Sequence, residues 1–180
     1  AYEPLNNNVA HVWLDITGDG IADDAHDFYI NYLSLNSVAG SAGGYFSTAA
    51  DITKWMRTYL RGDFISSSTL DEAKKTVPAS GSQGGAYGLG LMKNSFNGFL
   101  AYGHGGDLAY AASSWYFPEK DMSISVLTND SKNNSWTLLP VVSALLKTYN
   151  NWKSTVSTNP VSKPDFEINT YPNPIGDQLN

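Results

Sequence analysis

The sequence predicts an α/β fold of the α+β type, in which an antiparallel sheet is packed by helices. Apolar residues recur at helical spacing in 48–62 and again in 137–149. Between these segments, residues 86–128 form short alternating runs separated by turns, as consecutive strands do. Because sequential strands with short connections pair antiparallel, we expect a meander flanked by the helices.

Composition narrows the class of protein. The chain has 180 residues, enough for a sizeable core, and 42% of them are hydrophobic. The net charge is −6 and the 11 Lys and Arg are scattered, so we do not expect a nucleic-acid partner. The absence of Cys excludes disulfides, thiol catalysis and Cys-zinc sites. No apolar run approaches the ~18–20 residues of a membrane-spanning helix.

The first helix has clear boundary signals. Thr48 and Asp51 fit a capping box, with Ser47 as an alternative cap, and Gly62 is a plausible stop. We therefore interpret Asp51 as a helix cap and not as a catalytic acid. One apolar stripe follows from the spacing of Ile52, Trp55, Met56, Tyr59 and Leu60.

The remaining elements follow in chain order. A short helix is predicted at 69–77, capped by Ser68 and ended by Pro78. A last helix is predicted from Thr137 to Tyr149, with Pro140 tolerated in its first turn. Its predicted apolar face is Leu138, Val141, Val142, Leu145 and Tyr149. The predicted strands are Tyr87–Leu91, Phe99–Gly103, Ala111–Phe117 and Met122–Thr128.

An acidic segment near the start leaves two alternatives open. Oxygen-bearing residues alternate around Gly20, a pattern that fits a structural calcium loop. The candidate ligands are Asp15, Thr17, Asp19, the Ile21 carbonyl, Asp23 and Asp24. The twelfth position is His26 where a calcium loop has a bidentate Glu, so Asp24 or Asp27 would have to close the shell. The other interpretation is an acidic, solvated turn.

The main candidate for chemistry is His104 in Tyr102-Gly103-His104-Gly105-Gly106. An imidazole can shuttle protons or donate a hydrogen bond near neutral pH. The flanking glycines let a ligand backbone approach the chain closely. We expect His104 at or just beyond a strand end, facing an open groove; a purely structural histidine is the alternative. Five aromatic residues could line a pocket, of which Trp115 is better explained as core: Tyr87, Tyr102, Tyr110, Trp115 and Tyr116.

Residues 40–150 resemble the serine β-lactamase and penicillin-binding-protein-like hydrolases in the order of their features. A Gly43-Gly44 turn enters the capped helix, Tyr87-Gly88-Leu89-Gly90-Leu91 follows, and His104-Gly105-Gly106 precedes two strands and a helix. The family contains class C β-lactamases, D-Ala-D-Ala carboxypeptidases and esterases. The resemblance implies a β-lactamase/transpeptidase-like fold and an acyl-enzyme mechanism that needs no cofactor.

By this resemblance, His104 occupies the place of the Lys or His in the family's third motif, and Gly106 matches the final glycine of that motif. The backbone N–H of Asp107 would then be one of two oxyanion donors, and Tyr102, Gly105 and Gly106 would border the substrate. Gly105 departs from the hydroxyl residue that is common at its position, and Asp107 adds negative charge. Both departures favour an ester or a less charged amide over an anionic penicillin.

The family's nucleophile motif, Ser-x-x-Lys, is absent, because no serine lies three residues before any lysine. Tyr29-Ile30-Asn31 matches the second motif, Tyr-x-Asn, but lies too close to Gly43-Gly44 and is interpreted as chance. We therefore expect the chain to be the C-terminal portion of such a hydrolase, inactive alone, with the N-terminal half of the same domain as its partner.

The C-terminal end changes character. Residues 154–165 are polar and predict a linker after a hydrolase portion at 1–153. Tyr171-Pro172-Asn173-Pro174 resembles the opening of a type IX secretion sorting domain, which would begin at 166 and run to 180. That resemblance implies a secreted or cell-surface bacterial protein.

Two functions follow from these patterns. The first is part of a secreted serine hydrolase that acts on an ester or amide. The second is a non-catalytic, calcium-stabilised binding module at the cell surface. An upstream Ser-x-x-Lys followed by Tyr-x-Asn would discriminate between them.

Overall fold

The computed structural model describes residues 9–25, 39–108, 110–130 and 132–158. The strands are β1 (Trp13–Leu14), β2 (Asp23–Asp24), β3 (Val77–Pro78), β4 (Ala86–Tyr87), β5 (Met92–Phe96), β6 (Phe99–Leu108), β7 (Tyr110–Phe117) and β8 (Met122–Thr128). The helices are α1 (Ala49–Arg61), α2 (Ser67–Ala73) and α3 (Leu139–Thr158). Short 3-10 turns lie at Gly40–Ala42 and Pro118–Lys120.

Within the described ranges, β3 to β8 form a six-stranded sheet in which every strand pairs with its neighbour in sequence. All of these pairs are antiparallel, which confirms the predicted meander. The central register sets Tyr102 opposite Tyr116 and His104 opposite Ser114. A separate hairpin, β1 with β2, closes the acidic loop and touches the end of β8 through a Trp13–Asp130 bridge.

The two faces of the sheet carry different cores, because side chains alternate along each strand. On one face, α3 packs over a cluster of Phe96, Ala101, Trp115, Phe117, Ile124, Val142 and Leu146. On the other face, α1 and α2 pack over a cluster of Met56, Leu60, Leu70, Ala73, Leu91 and Tyr116. Helices therefore cover both faces of the sheet, and the predicted fold class, an antiparallel sheet packed by helices, is confirmed.

Helix α1 begins and ends where its capping signals indicate. Thr48 accepts a hydrogen bond from the Asp51 N–H at 3.1 Å, and its hydroxyl donates to the Asp51 carboxylate at 2.9 Å. Gly62 ends the helix in the left-handed conformation, at φ 86°. The predicted stripe is wrong at Trp55, which is 57% exposed and stacks on Tyr59 and Phe64 at the surface.

The other two helices differ from their predicted limits. Helix α2 begins two residues early, because Ser66 caps it by accepting the Thr69 N–H. Helix α3 begins at Leu139 and faces the sheet with Val142 and Leu146, whereas Val141 and Leu145 are exposed. It also continues to Thr158, so Ser154–Thr158 are helical where the sequence predicted the linker to start.

The strand limits were predicted best for β7 and β8, the last two strands of the sheet. Met122–Thr128 agrees with the prediction, and Trp115 is fully buried as expected. The predicted strand Tyr87–Leu91 is wrong beyond Tyr87, because Gly88 to Leu91 turns against the end of α2. A Cβ on Gly88 would lie 2.6 Å from the Ala73 carbonyl oxygen. β5 follows this turn and was not predicted.

Several sequence predictions fall outside the described residues. These are His26, Asp27, the Tyr29-Ile30-Asn31 match, the rest of the linker and the segment with Tyr171-Pro172-Asn173-Pro174. Within the described helices, none is both long and apolar enough to cross a membrane.

Candidate active site

His104 lies inside a strand and not at its end. β6 continues to Leu108, five residues beyond Gly103, where the sequence predicted its end. His104 is exposed and lies two residues after Tyr102 in the same strand. Both side chains therefore point to the face of the sheet that α1 and α2 cover. Tyr102 is half-buried under these helices, whereas His104 extends past them. The expected exposure of the imidazole is therefore confirmed, and its expected place along the strand is corrected.

β6 presents an open edge beside His104. β5 pairs with β6 from Phe99 only as far as Gly103, which lies opposite Met92. From His104 to Leu108, the described strands pair with β6 only on the β7 side. An unpaired strand edge offers N–H and C=O groups to another extended chain, so an acyl or peptide group can lie along this stretch.

Two contacts fix the orientation and the tautomer of the imidazole. Nδ1 contacts the Gly105 carbonyl oxygen, and Nε2 lies 2.9 Å from the Tyr87 hydroxyl. Because a carbonyl only accepts, the proton of the neutral ring belongs on Nδ1. Nε2 is then the basic nitrogen and accepts the Tyr87 O–H. The two rings meet edge to face, with centroids 5.6 Å apart.

Gly105 faces away from His104, and its lack of a side chain has a packing reason. A Cβ at this position would lie 2.7 Å from both the amide nitrogen and the amide oxygen of Gln83, and 2.7 Å from the Ser135 Cβ. Around Gly106, by contrast, a Cβ would meet nothing within 4 Å. Packing therefore also requires a glycine at 105, because a larger side chain would displace Gln83 and Ser135 beneath the strand.

The Asp107 carboxylate is also turned toward the face of Gly105. It accepts hydrogen bonds from the Ser135 N–H and the Ser135 hydroxyl, each at 2.6 Å. Its negative charge therefore does not share the face of His104, and the predicted selection against anionic penicillins loses that support. The role of the Asp107 backbone N–H as an oxyanion donor stays a prediction.

The other aromatic candidates have structural contacts. Tyr102 packs in the α1/α2 cluster, and the Lys74 ammonium lies 5.6 Å from its ring centroid. Burial lowers the pKa of Lys74. Tyr116 is buried, and burial raises its pKa, with the Asp121 carboxylate as a further cause. The Tyr110 hydroxyl donates to the Ala10 carbonyl and ties the β1–β2 hairpin to the sheet.

The acidic loop is closed by its own backbone. Asp15 accepts the N–H groups of Gly18, Asp19 and Gly20 at 2.7, 3.1 and 2.8 Å. Asp23 accepts the N–H groups of Ile16 and Thr17. The described part of the chain contains no group of three or more His, Cys, Asp or Glu placed to hold a metal ion. Of the two alternatives, the geometry favours the acidic turn.

A shallow pocket lies elsewhere, on the outer side of α1. It is lined by Asp51, Lys54, Trp55, Thr58 and Phe64 and includes none of the predicted site residues. Asp51 forms the capping pair of α1 with Thr48, the N-cap residue, as predicted.

Comparison with known proteins identifies the family. The model of the family described as Beta-lactamase matches residues 4–141. The chain belongs to the beta-lactamase family. A comparison with curated proteins finds no match.

Two solved structures show the same fold, and a third is similar over a shorter part of the chain. A D-amino acid amidase from Ochrobactrum anthropi SV3, complexed with L-phenylalanine amide, is similar with 19% identity and a TM-score of 0.63, over 79% of this chain and 43% of that one. The octameric penicillin-binding protein homologue from Pyrococcus abyssi has 24% identity and a TM-score of 0.58, over 78% and 31%. A D-stereospecific amidohydrolase from Streptomyces sp. has 29% identity and a TM-score of 0.49, over 53% and 29%. This chain therefore spans less than half the length of each of these proteins.

Sequence reasoning missed three residues around the strand. Tyr87 was considered only as a pocket aromatic and not as the partner of His104. Gln83 and Ser135 were not considered, although both are almost fully buried beneath Gly105. The glycines at 84 and 85 signal a turn at Gln83, but nothing in the sequence indicates a contact between residues 52 positions apart.

Proposed function

We propose that this chain carries the His104 side of the active site of a serine hydrolase that acts through an acyl-enzyme on an ester or amide. The observation that supports this most directly is the exposed imidazole on an open strand edge, oriented by Tyr87 and the Gly105 carbonyl. Membership of the beta-lactamase family supports the serine hydrolase class. We expect the nucleophile to come from a Ser-x-x-Lys upstream of residue 1, since the 180 residues contain none.

The geometry indicates a role for each group. Nε2 of His104 can accept a proton, or donate one after protonation, toward a substrate on the open edge. The Tyr87 hydroxyl bonded to Nε2 orients the ring and is the first partner with which it can exchange a proton. A substrate carbonyl placed against the Asp107 N–H would receive part of the oxyanion stabilisation, and the N–H of the nucleophilic serine would supply the rest.

An amide or ester substrate is favoured over a β-lactam in this proposal. The fold is shared with a D-amino acid amidase, so D-amino acid amides belong in the first substrate panel. Small esters belong there too, because the exposed edge imposes no enclosed pocket on the acyl group among the described residues. Penicillins complete the panel as the competing class.

The test uses the longer gene product that supplies Ser-x-x-Lys, with p-nitrophenyl acetate and D-phenylalanine amide as substrates. We expect hydrolysis, a loss of at least about tenfold in kcat/KM for His104→Ala, and a smaller loss for Tyr87→Phe. Trp152→Ala is the control, since Trp152 is 59% exposed on α3. The 180-residue chain alone should be inactive, because it lacks the nucleophile. Full activity of the His104→Ala product would refute the proposal, and lack of any activity would favour the binding module.

We also propose a secreted or cell-surface location. Its support is the resemblance of Tyr171-Pro172-Asn173-Pro174 to a type IX sorting domain, together with the polar residues before it. Fractionation of the producing cells, with and without residues 166–180, is the test. Retention of the truncated protein inside the cell is expected, whereas unchanged export would remove this support.

A further inference from the structure

A partly buried polar cluster lies beneath the strand that carries His104. It consists of Gln83, Ser135 and Asp107, from the β3–β4 loop, the loop before α3 and β6. The Gln83 amide nitrogen donates to the Ser135 hydroxyl at 2.8 Å. Ser135 in turn donates to both carboxylate oxygens of Asp107, from its N–H and its hydroxyl, each at 2.6 Å. Gln83 is 1% exposed and Ser135 is 3% exposed, whereas Asp107 is exposed, so the cluster is buried at Gln83 and Ser135 and reaches solvent at Asp107.

The direction of these bonds is fixed by chemistry. An ionised carboxylate only accepts, so the Ser135 hydroxyl must donate to Asp107. That hydroxyl can then only accept from Gln83, which sets the orientation of the Gln83 amide. The remaining amide oxygen of Gln83 has no hydrogen-bond partner within the described residues. A charge-assisted pair of bonds to Asp107 is therefore the strongest link of the cluster.

The cluster is fitted to the backbone of β6 at Gly105. A Cβ there would overlap both the Gln83 amide and the Ser135 Cβ, each at 2.7 Å. The cluster thus touches β6 at Gly105 and binds it again at Asp107, two residues further on. His104 directly precedes this supported stretch on the opposite face.

This stretch of β6 needs support because its edge is open. Beyond Gly103, the described strands hold β6 only from the β7 side. A strand paired on one side is freer to shift than one paired on both. The hydrogen bonds from Ser135 act on the same residues that lack the second strand partner.

We propose that Gln83 and Ser135 are positioning residues that hold the Gly105–Asp107 backbone of β6, and with it the His104 imidazole and the Asp107 N–H. The structural part of this inference stands on the contacts alone. The catalytic part rests on the proposed function.

The structural part is tested by amide hydrogen exchange on the 180-residue protein. We expect Ser135→Ala and Gln83→Ala to accelerate exchange of the protected amides of His104–Leu108 by about tenfold, with little change in Phe99–Gly103. Ser82→Ala is the matched control, because the buried Ser82 hydroxyl donates to the Ala79 carbonyl of its own loop at 2.9 Å and to nothing else among the described residues. Equal acceleration along all of β6, or the same local effect from Ser82→Ala, would overturn the proposal.

Two variants of Asp107 separate hydrogen bonding from simple loss of stability. Asp107→Asn can keep the cluster with the hydrogen bonds reversed. The new Asn amide can donate to the Ser135 hydroxyl, and that hydroxyl can then donate to the Gln83 amide oxygen once the Gln83 amide has flipped. We expect exchange within about threefold of the wild type for Asp107→Asn and about tenfold acceleration for Asp107→Ala. Equal effects of the two variants would refute a positioning cluster.

The catalytic part is tested in the longer hydrolase that contains Ser-x-x-Lys. Ser135→Ala should lower kcat by about tenfold with KM within about twofold, because it displaces groups that act in the transition state. Ser82→Ala should leave both constants unchanged. Local exchange effects with no change in kcat would refute the catalytic part alone, and an inactive wild type would refute the proposed function while leaving the exchange result intact.

Discussion

Two glycines of the same motif should respond oppositely to the same substitution, because they face different sides of β6. A Cβ on Gly103 would overlap the Ser114 carbonyl oxygen and lie 2.9 Å from the Trp115 Cα and 2.8 Å from its Cε3. These atoms belong to the backbone and the fully buried core of β7, which cannot move independently of the sheet. A Cβ on Gly106 meets nothing within 4 Å.

The magnitude follows from what must move. Overpacking of a rigid site costs about 1–3 kcal/mol, and separating β6 from β7 weakens ladder hydrogen bonds worth about 1 kcal/mol each. We expect Gly103→Ala to lower the free energy of unfolding by about 3 kcal/mol, which is about 6–12 °C in Tm for a chain of this size. Gly106 has no positive φ, so Gly106→Ala should change stability by less than about 1 kcal/mol, with a small gain from reduced freedom of the unfolded chain.

Thermal unfolding followed by circular dichroism measures both variants under the same conditions. Urea unfolding checks that the slope with denaturant is unchanged, so that the difference reflects the folded state. Equal shifts in Tm for the two variants would mean that the register of β6 against β7, and therefore the face assigned to His104, is wrong.

Three further predictions test other parts of the fold. Thr48→Ala should destabilise by about 1 kcal/mol through loss of the α1 cap, whereas Ser47→Ala should have an effect within about 0.5 kcal/mol, and equal Tm values would contradict the assigned cap. The Arg57 side chain donates a hydrogen bond to the Asp121 carboxylate at 2.5 Å and lowers the pKa of Asp121 below its usual 3.8. The ion pair therefore contributes fully to folding stability above pH 3.8, and this contribution is lost as the pH falls through the lowered pKa of Asp121 in the folded state. Tm should accordingly fall more steeply on acidification for the wild type than for Asp121→Asn, and the difference should shrink in high salt; parallel curves would argue against the pair. Removal of calcium with a chelator should leave Tm unchanged because backbone N–H groups already close the acidic loop, whereas an ion at 100 times its Kd would add about 2.7 kcal/mol and show as a higher Tm with calcium.

Local sequence signals were sufficient to predict the limits of a helix or strand wherever those limits depend on one short segment of the chain. Thr48, Asp51 and Gly62 define α1 because a cap and a stop act within one turn of the chain. Strand β8 was predicted within its observed limits because its alternation is uninterrupted. His104 between glycines was recognised for its chemistry, and its exposure agrees with that interpretation.

Only the tertiary structure decided which side chains of each segment are buried and which strands pair with one another. Trp55 fits the apolar stripe of α1 but packs against Phe64 at the surface, whereas Met56 and Leu60 of the same stripe are buried in the core. The end of β6 depends on β7, which pairs with it as far as Leu108.

The same holds for the site itself. The sequence predicted an exposed imidazole between glycines, at or just beyond a strand end of a beta-lactamase-like fold, and the structure places it within β6. Only the folded chain brings Tyr87 to Nε2 of His104, and Gln83 and Ser135 beneath Gly105. Contacts between residues tens of positions apart depend on strand register and on the volume that each face leaves free, and no local pattern of residues encodes either quantity.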